Sequence, residues 1–230
     1  MPDTHFRSSP ARALLSSTAV AALLFVAIGV VASPPAAAAV ACGGLPATVV
    51  LDASTPSYVD TAGVDDVVAV APGFTGGVTI DTGAGNDVVC GGPGDDVIAT
   101  GDGNDWVRAG FGEDRIDAGA GSDSVWGQGR ADEIVGGPGT DMLDGGANGD
   151  VLIGGDGDDT LVGSGGKDVI EAGEGLDTAD GGPAGDRITG AGGSDVIDGG
   201  TGHDKIWGGA GNDELIGNIG RDRIWGDEGD

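Results

Sequence analysis

Aliphatic residues recur at a fixed interval of nine along residues 82–225. The segment divides into sixteen nine-residue units without an insertion or deletion, and the eighth position of each unit is Val, Ile or Leu, with Ala179 as the one exception. Residues 91–110, "GGPGDDVIATGDGNDWVRAG", show the same order twice: an aspartate, then an aliphatic residue two positions later. The interval indicates a repeat protein in which each unit buries one aliphatic side chain.

Each unit predicts one very short strand and one tight turn. In the last three positions, the aliphatic residue points into the molecule and its two neighbours point outward, because side chains alternate along a strand. The first six positions, G-G-x-G-x-D, must reverse the chain, and glycine tolerates the positive φ angles that such turns require. Glycine holds the fourth position in thirteen units. The pattern is weakest in the three turns where Arg130, Asn148 and Ala184 replace it.

An aspartate occupies the sixth position of all sixteen units. A hard cation such as Ca²⁺ takes six to eight oxygen ligands, so close-packed turn carbonyls and carboxylates suit it. A single aspartate of this kind would be explained equally well as an Asx-turn residue that binds nothing. Sixteen placements in one register favour metal ligation instead. The predicted metal ligands are Asp87, Asp96, Asp105, Asp114, Asp123, Asp132, Asp141, Asp150, Asp159, Asp168, Asp177, Asp186, Asp195, Asp204, Asp213 and Asp222.

This pattern resembles the hemolysin-type calcium-binding repeat, the RTX nonapeptide G-G-x-G-x-D-x-U-x, where U is aliphatic. The resemblance implies an all-β fold, a parallel β-roll (a β-helix solenoid) in which two nonapeptides form one coil and several Ca²⁺ ions lie in the turns. Residues 82–225 would then form about eight coils of eighteen residues. Asp87 and Asp105 would lie on one edge of the roll, and Asp96 and Asp114 on the other.

Residues 1–41 match a secretory signal peptide. Arg7 and Arg12 precede a short apolar run, and small residues of the A-x-A kind follow it, with cleavage after Ala39 or Ala41. The run is too short for a comfortable membrane span, so we expect no span in the mature chain; an uncleaved N-terminal anchor is the alternative. The protein is therefore expected to be secreted, either free in the medium or associated with the cell surface.

Cys42 and Cys90 are the two cysteines of the chain. In an oxidising compartment we expect a disulfide between them, which would tie the segment after the signal peptide to the first repeats. The alternative is that "AVAC" is a lipobox and that Cys42 carries a lipid, which would leave Cys90 unpaired.

Composition and charge restrict the class of protein and of partner. Fifty glycines among 230 residues and 4% aromatic residues leave no conventional aromatic core. The formal net charge of −28 repels nucleic acid and anionic lipid and attracts cations, so no nucleic-acid partner is expected. Because the aliphatic core is small and glycine-rich segments are costly to order, folding is expected to depend on calcium.

Residues 42–81 precede the repeats and residues 226–230 form a truncated repeat. The first segment has short β-branched patches, which predict an irregular N-terminal β cap. It is too small for a catalytic domain, and the chain has no G-x-S-x-G or H-E-x-x-H motif, so we expect no enzyme. The predicted function is a secreted calcium-binding structural or adhesive module. The alternatives are an accessory module for a separately encoded secreted hydrolase and a lipid-anchored envelope protein.

Aromatic and cationic residues are concentrated in the last repeats. A spacing of eighteen stacks Trp207 over Trp225 on an outward face, beside Arg187, Lys205 and Arg223. Such a surface suits a cell-surface polysaccharide or an anionic protein partner. Protection of the sheet edge and lateral packing are the alternative explanation.

Overall fold

The computed structural model describes residues 41–60 and 62–229, so the predicted signal peptide lies outside the described residues except for Ala41. In this part of the chain the regular elements are strands, and no helix is long and apolar enough to cross a membrane. The strands are β1 (Ala41–Cys42), β2 (Leu45–Pro46), β3 (Val49–Leu51), β4 (Ser57–Val59), β5 (Val67–Val70), β6 (Thr79–Asp81), β7 (Val88–Cys90), β8 (Val97–Ala99), β9 (Trp106–Phe111), β10 (Arg115–Asp117), β11 (Ser124–Gly129), β12 (Glu133–Pro138), β13 (Met142–Ala147), β14 (Val151–Asp156), β15 (Thr160–Gly165), β16 (Val169–Glu174), β17 (Thr178–Asp180), β18 (Arg187–Gly192), β19 (Val196–Asp198), β20 (Thr201–Gly202), β21 (Lys205–Ala210), β22 (Glu214–Ile216), β23 (Ile219–Gly220) and β24 (Arg223–Glu228).

Two ten-stranded parallel sheets form the body of the molecule. Sheet I has the order β24-β21-β18-β16-β14-β12-β10-β8-β6-β4, and sheet II has the order β22-β19-β17-β15-β13-β11-β9-β7-β5-β3. Within the repeats, paired residues are eighteen apart, as in the pairing of Ile116 with both Ile98 and Ile134. Successive nonapeptides therefore alternate between the sheets, and the fold is an all-β parallel solenoid of about ten turns.

The eighth-position residues form the core between the two sheets. Ile134 and Leu152 of sheet I and Leu143 and Leu161 of sheet II are fully buried, while their neighbours in the strands face outward. Alternation along each strand produces this arrangement, as the sequence pattern predicts. Ala179 occupies the same kind of buried position, so the exceptional unit keeps its register.

Each of the three turns without a fourth-position glycine has a positive φ at the substituted residue, as nine of the thirteen turns with glycine have at this position. Arg130 has φ 83°, Asn148 has φ 86° and Ala184 has φ 95°. A non-glycine residue is strained in this region of φ. The stacking of the coils therefore holds these three residues in a conformation that they would rarely adopt alone.

Residues 42–81 form the irregular N-terminal end that the sequence predicts, and their strands extend the two sheets of the repeats. Strands β3 and β5 join sheet II, and strands β4 and β6 join sheet I, with the same parallel pairing as the repeats. The spacing is irregular here: Val49 pairs with Val68, and Ser57 pairs with Thr79. These strands add two turns, which raises the total from the predicted eight to about ten.

A disulfide connects β1 to β7. The Cα atoms of Cys42 and Cys90 lie 5.6 Å apart, and both residues are buried beside Ala69 and the half-buried ring of Trp106. The structure thus contains the predicted disulfide, which ties the β1–β2 hairpin to the face of sheet II.

Candidate metal centres

The repeat aspartates form two ladders along the edges of the solenoid. Each main-chain N–H of an aspartate donates to the Oδ1 atom of the aspartate one coil later; Asp141 donates to Asp159 and Asp159 donates to Asp177, both at 2.8 Å. One ladder contains Asp87, Asp105, Asp123, Asp141, Asp159, Asp177, Asp195 and Asp213. The other contains Asp96, Asp114, Asp132, Asp150, Asp168, Asp186, Asp204 and Asp222.

The second carboxylate oxygen, Oδ2, has a different environment. In fourteen of the sixteen aspartates it is buried and has no hydrogen-bond partner. Asp96 differs, because the main-chain N–H of Gly92 donates to its Oδ2 at 2.9 Å. A buried oxygen without a donor is costly, and charged groups cost more than neutral ones. The fourteen oxygens are those of Asp87, Asp105, Asp114, Asp123, Asp132, Asp141, Asp150, Asp159, Asp168, Asp177, Asp186, Asp195, Asp204 and Asp213.

A small space lined by oxygen atoms lies beside many of these carboxylates. A Cβ atom at Gly127 would lie 2.4 Å from Oδ2 of Asp132 and 2.7 Å from the carbonyl oxygen of Gly145, one coil later. The first-position glycine of a unit therefore leaves room between a carboxylate oxygen and a main-chain carbonyl. Gly136 repeats the arrangement with Oδ2 of Asp141, at 2.5 Å.

Burial makes the ionised aspartates unfavourable in the metal-free fold. Desolvation is the largest cause, and it raises the pKa of Asp159 to about 7, although the N–H of Asp141 lowers it and the carboxylates of Asp141 and Asp177 raise it further. Desolvation also raises the pKa of Asp168 to about 6, although the N–H of Asp150 lowers it. Asp114, Asp123, Asp132 and Asp150 also have pKa values raised to about 7. The ladders therefore favour a bound proton or a bound cation.

The donor set fits Ca²⁺. It consists of oxygen atoms only, with one carboxylate oxygen and main-chain carbonyls in each turn, which is the chemistry that calcium prefers. In residues 41–60 and 62–229, no three His, Cys, Asp or Glu side chains come together as a metal-binding group. The carbonyl groups of the glycine-rich turns must therefore supply most of the ligands.

The sequence pattern did not reveal one member of the first ladder. Asp66 is buried, and its N–H donates to Oδ1 of Asp87 at 2.7 Å. Its Oδ2 accepts a hydrogen bond from the hydroxyl of Tyr58 at 2.9 Å. Asp66 therefore has a protein donor for the oxygen that lacks one in fourteen of the repeat aspartates. The signal was the order Asp66-Val67-Val68, which matches D-x-U but lies twenty-one residues before Asp87 and so escapes a count in nines.

The turns carry a further, outer ladder that the sequence did not predict. Side chains at the fifth position accept the main-chain N–H of the fifth-position residue one coil later. Examples are Asn86 with the N–H of Asn104 at 2.9 Å and Asn104 with the N–H of Ser122 at 2.8 Å. This ladder satisfies exposed turn amides and holds successive turns in register.

Comparison with known families agrees with this geometry. The family model of the RTX calcium-binding nonapeptide repeat matches residues 75–98, 91–125, 117–152, 126–161, 144–179, 180–215 and 207–230. These matches cover more than half of the chain, and the chain therefore belongs to the RTX calcium-binding nonapeptide repeat family. Repeats of this family bind multiple Ca²⁺ ions. No curated protein matches the chain.

Proposed function

We propose that the sixteen repeat aspartates ligate Ca²⁺ and that the chain is a secreted module that folds when it binds calcium. The observation that carries the proposal is the row of fourteen buried, unpartnered Oδ2 atoms in stacked, carbonyl-rich turns. A bound Ca²⁺ ion would supply positive charge and coordinate these oxygens. Oδ1 would meanwhile continue to accept the N–H of the preceding coil.

The aliphatic residues and the aspartates of each unit have different roles in folding. The eighth-position aliphatics, such as Leu152, pack in the core. The Oδ1 ladder fixes the spacing of the turns, and Oδ2 with the carbonyls forms the ion sites. Without cations, the buried carboxylates repel one another and the net charge of −28 expands the chain. At neutral pH and above, the fold should then form only when calcium removes this penalty, because a ligand that binds the folded state alone stabilises it.

Circular dichroism of residues 42–230 tests the proposal. We expect a disordered spectrum in excess chelator and a cooperative change to β structure at millimolar calcium. Magnesium should replace calcium poorly, because it requires strict octahedral geometry and loses its water reluctantly. A full β spectrum in excess chelator would contradict the proposal.

The module would act outside the cell in a structural or adhesive role, with a cell-surface polysaccharide or protein as partner and without catalysis. Solenoids present long, flat faces that suit such a role. The alternative of an accessory module for a secreted hydrolase keeps the same calcium chemistry and differs in the partner. The lipid-anchored alternative needs the thiol of Cys42, which is bonded to Cys90 in the structure. Peptide mapping of the mature N terminus, with and without reduction, separates these forms.

A further inference from the structure

Sheet I carries a cationic outer surface in its last three strands. Arg187, Lys205 and Arg223 pair in register on β18, β21 and β24, so they form one column with the strand spacing of about 4.8 Å. Trp207 and Trp225 form a second column two residues along the same strands. We call these five residues the basic face.

The aromatic rings of the basic face are ordered by stacking. The indoles of Trp207 and Trp225 are nearly parallel, with centroids 4.7 Å apart. The guanidinium of Arg187 lies 4.3 Å from the centroid of Trp207. Both faces of the Trp207 ring are therefore covered. The ring is not free to stack on a nucleobase, as an uncovered aromatic ring could.

Sheet II carries the opposite charge in adjacent coils of the same region. Asp180 pairs with Asp198 on β17 and β19, and Glu214 lies on the next strand, β22, opposite Val196. Val196 and Ile216 are 42% and 37% exposed, so the acids alternate with apolar side chains. We call these five residues the acidic face.

The cations of the basic face are not neutralised within the chain. Among the described residues, the single ion pair joins Arg115 and Glu133, further along sheet I. Within residues 41–60 and 62–229, Arg187, Lys205 and Arg223 have no acidic partner within 4 Å. Glu171 lies on the same surface, where it pairs in register with Thr189, and Asp227 follows Trp225 by two residues on β24. The charge of the basic face is therefore free to meet a separate molecule.

From this arrangement, we propose that the basic face of one copy of the chain packs on the acidic face of a second copy. The two faces carry opposite charges, and both include exposed apolar side chains. Their side chains are also equally spaced, because neighbouring parallel strands are equally far apart in both sheets. They lie on opposite sheets, so the contact is heterologous and can continue from copy to copy as an open stack. The faces are small, so each contact should be weak and sensitive to salt. This inference deepens the adhesive role under the proposed function and rests on it, since folded coils are needed to align the columns.

Sedimentation velocity in saturating calcium tests the inference. We expect the average mass of residues 42–230 to rise with protein concentration at low salt and to return to that of a monomer at about 0.5 M salt. Two double variants reverse one face each: Arg187→Glu with Lys205→Glu, and Asp180→Lys with Asp198→Lys. Each variant alone should lose on the order of tenfold in association constant. An equimolar mixture should associate again, because every contact in it joins opposite charges.

Arg108→Glu with Arg115→Glu is the matched control. It makes the same change of net charge on strands outside both faces, and it should associate like the unmodified chain. Circular dichroism with calcium checks that every variant folds; if a double variant does not, Lys205→Glu and Asp198→Lys take its place. A lack of calcium-dependent folding would count against the proposed function alone, because association is measured on folded chains.

Three results would overturn the inference: variants that associate unchanged, a mixture that stays monomeric, or association that salt does not weaken. A monomeric chain that binds polygalacturonate through Arg187 and Lys205 would also overturn it and assign the basic face to an acidic polysaccharide.

Discussion

At the scale of the residue, the two oxygens of each repeat aspartate have separate roles. Oδ1 of Asp159 accepts a main-chain N–H from the preceding coil, whereas its Oδ2 is buried without a donor. The first contact is formed in the fold without a cation. The burial of Oδ2 is favourable only when a proton or a cation neutralises the carboxylate. One side chain thus holds the coils in register and also leaves a buried oxygen that a proton or a cation would neutralise.

Calcium-free folding should therefore improve as the solution becomes more acidic. Burial raises the pKa of Asp114 and Asp150 to about 7 in the fold, against an ordinary value of 3.8. Between these values the folded chain binds protons that the unfolded chain does not, so its stability rises as pH falls from about 7 to about 4 and then levels off. We expect more β structure by circular dichroism in the dialysed, metal-free chain at about pH 5 than at about pH 7.5.

Saturating calcium supplies the control for this prediction. The unfolded chain and the calcium-bound fold are both ionised over the same range, so the β signal should change little with pH. Light scattering would identify aggregation near the isoelectric point of about 4.1. A metal-free chain that loses β structure on acidification would show that the buried carboxylates do not limit folding.

At the scale of the element, the turn is the most constrained part of the unit. At Gly121, φ is 147°, and a Cβ atom would lie 1.5 Å from the carbonyl oxygen of Gly103 in the preceding coil. The close stacking that brings carbonyls together for an ion also excludes a side chain. Glycine is needed at this position for both conformation and contact.

Gly121→Ala should lower the free energy of unfolding by about 3 kcal/mol, because the main chain must move to admit the methyl group. Urea unfolding in saturating calcium measures the change. Gly226→Ala is the matched control, since a Cβ atom there meets no atom within 4 Å, and its effect should stay within about 0.5 kcal/mol. Equal effects of the two substitutions would show that the turns are less tightly stacked than this.

The sequence predicted where the strands of the repeats begin, because the interval of nine sets their spacing, but it did not predict their length. Ten strands, such as Glu133–Pro138, run for six residues and not for the expected three. Apart from β20 and β23, which begin at the third position, the strands over residues 88–225 begin at the seventh position of their units, such as Val97 and Arg115. The prediction failed to extend the solenoid into residues 42–81 because coils there are nineteen to twenty-two residues long, as the pairing of Val49 with Val68 and of Ser57 with Thr79 shows. Periodicity detects a constant spacing and misses the same pairing when loops vary in length.

At the scale of the whole molecule, the position of each candidate site could be predicted, but its hydrogen bonds could not. A spacing of eighteen places Asp159 beside Asp141 and Asp177 in one ladder. The different hydrogen bonding of Oδ1 and Oδ2 depends on the exact position and orientation of each coil. These cannot be predicted from the residue types alone. The sequence predicted the column of Arg187, Lys205 and Arg223 from the spacing of eighteen, but it did not predict the acidic face on sheet II.

Cooperation between coils should follow the ladders and not the order of the sequence. Asp159 contacts Asp177 through a hydrogen bond, whereas Asp168, which is closer in sequence, belongs to the other ladder. Asp159→Ala should raise the calcium midpoint of folding strongly, because it removes an Oδ1 acceptor and a proposed ion ligand from the middle of the stack. Asp222→Ala should raise it less, since Asp222 is only half-buried.

Double-mutant cycles on the calcium midpoint of folding test whether the coupling follows the ladders or the order of the sequence. Residues in contact fail to behave additively, so the pair Asp159→Ala with Asp177→Ala should show a coupling of about 1 kcal/mol, and the pair Asp159→Ala with Asp168→Ala should show less than about 0.5 kcal/mol. A solenoid allows this pattern because its stability is a sum of terms between stacked neighbours. Equal coupling in both pairs would mean that calcium-dependent folding couples aspartates of the same ladder no more strongly than aspartates of different ladders. The two ladders would then not be the units that fold cooperatively.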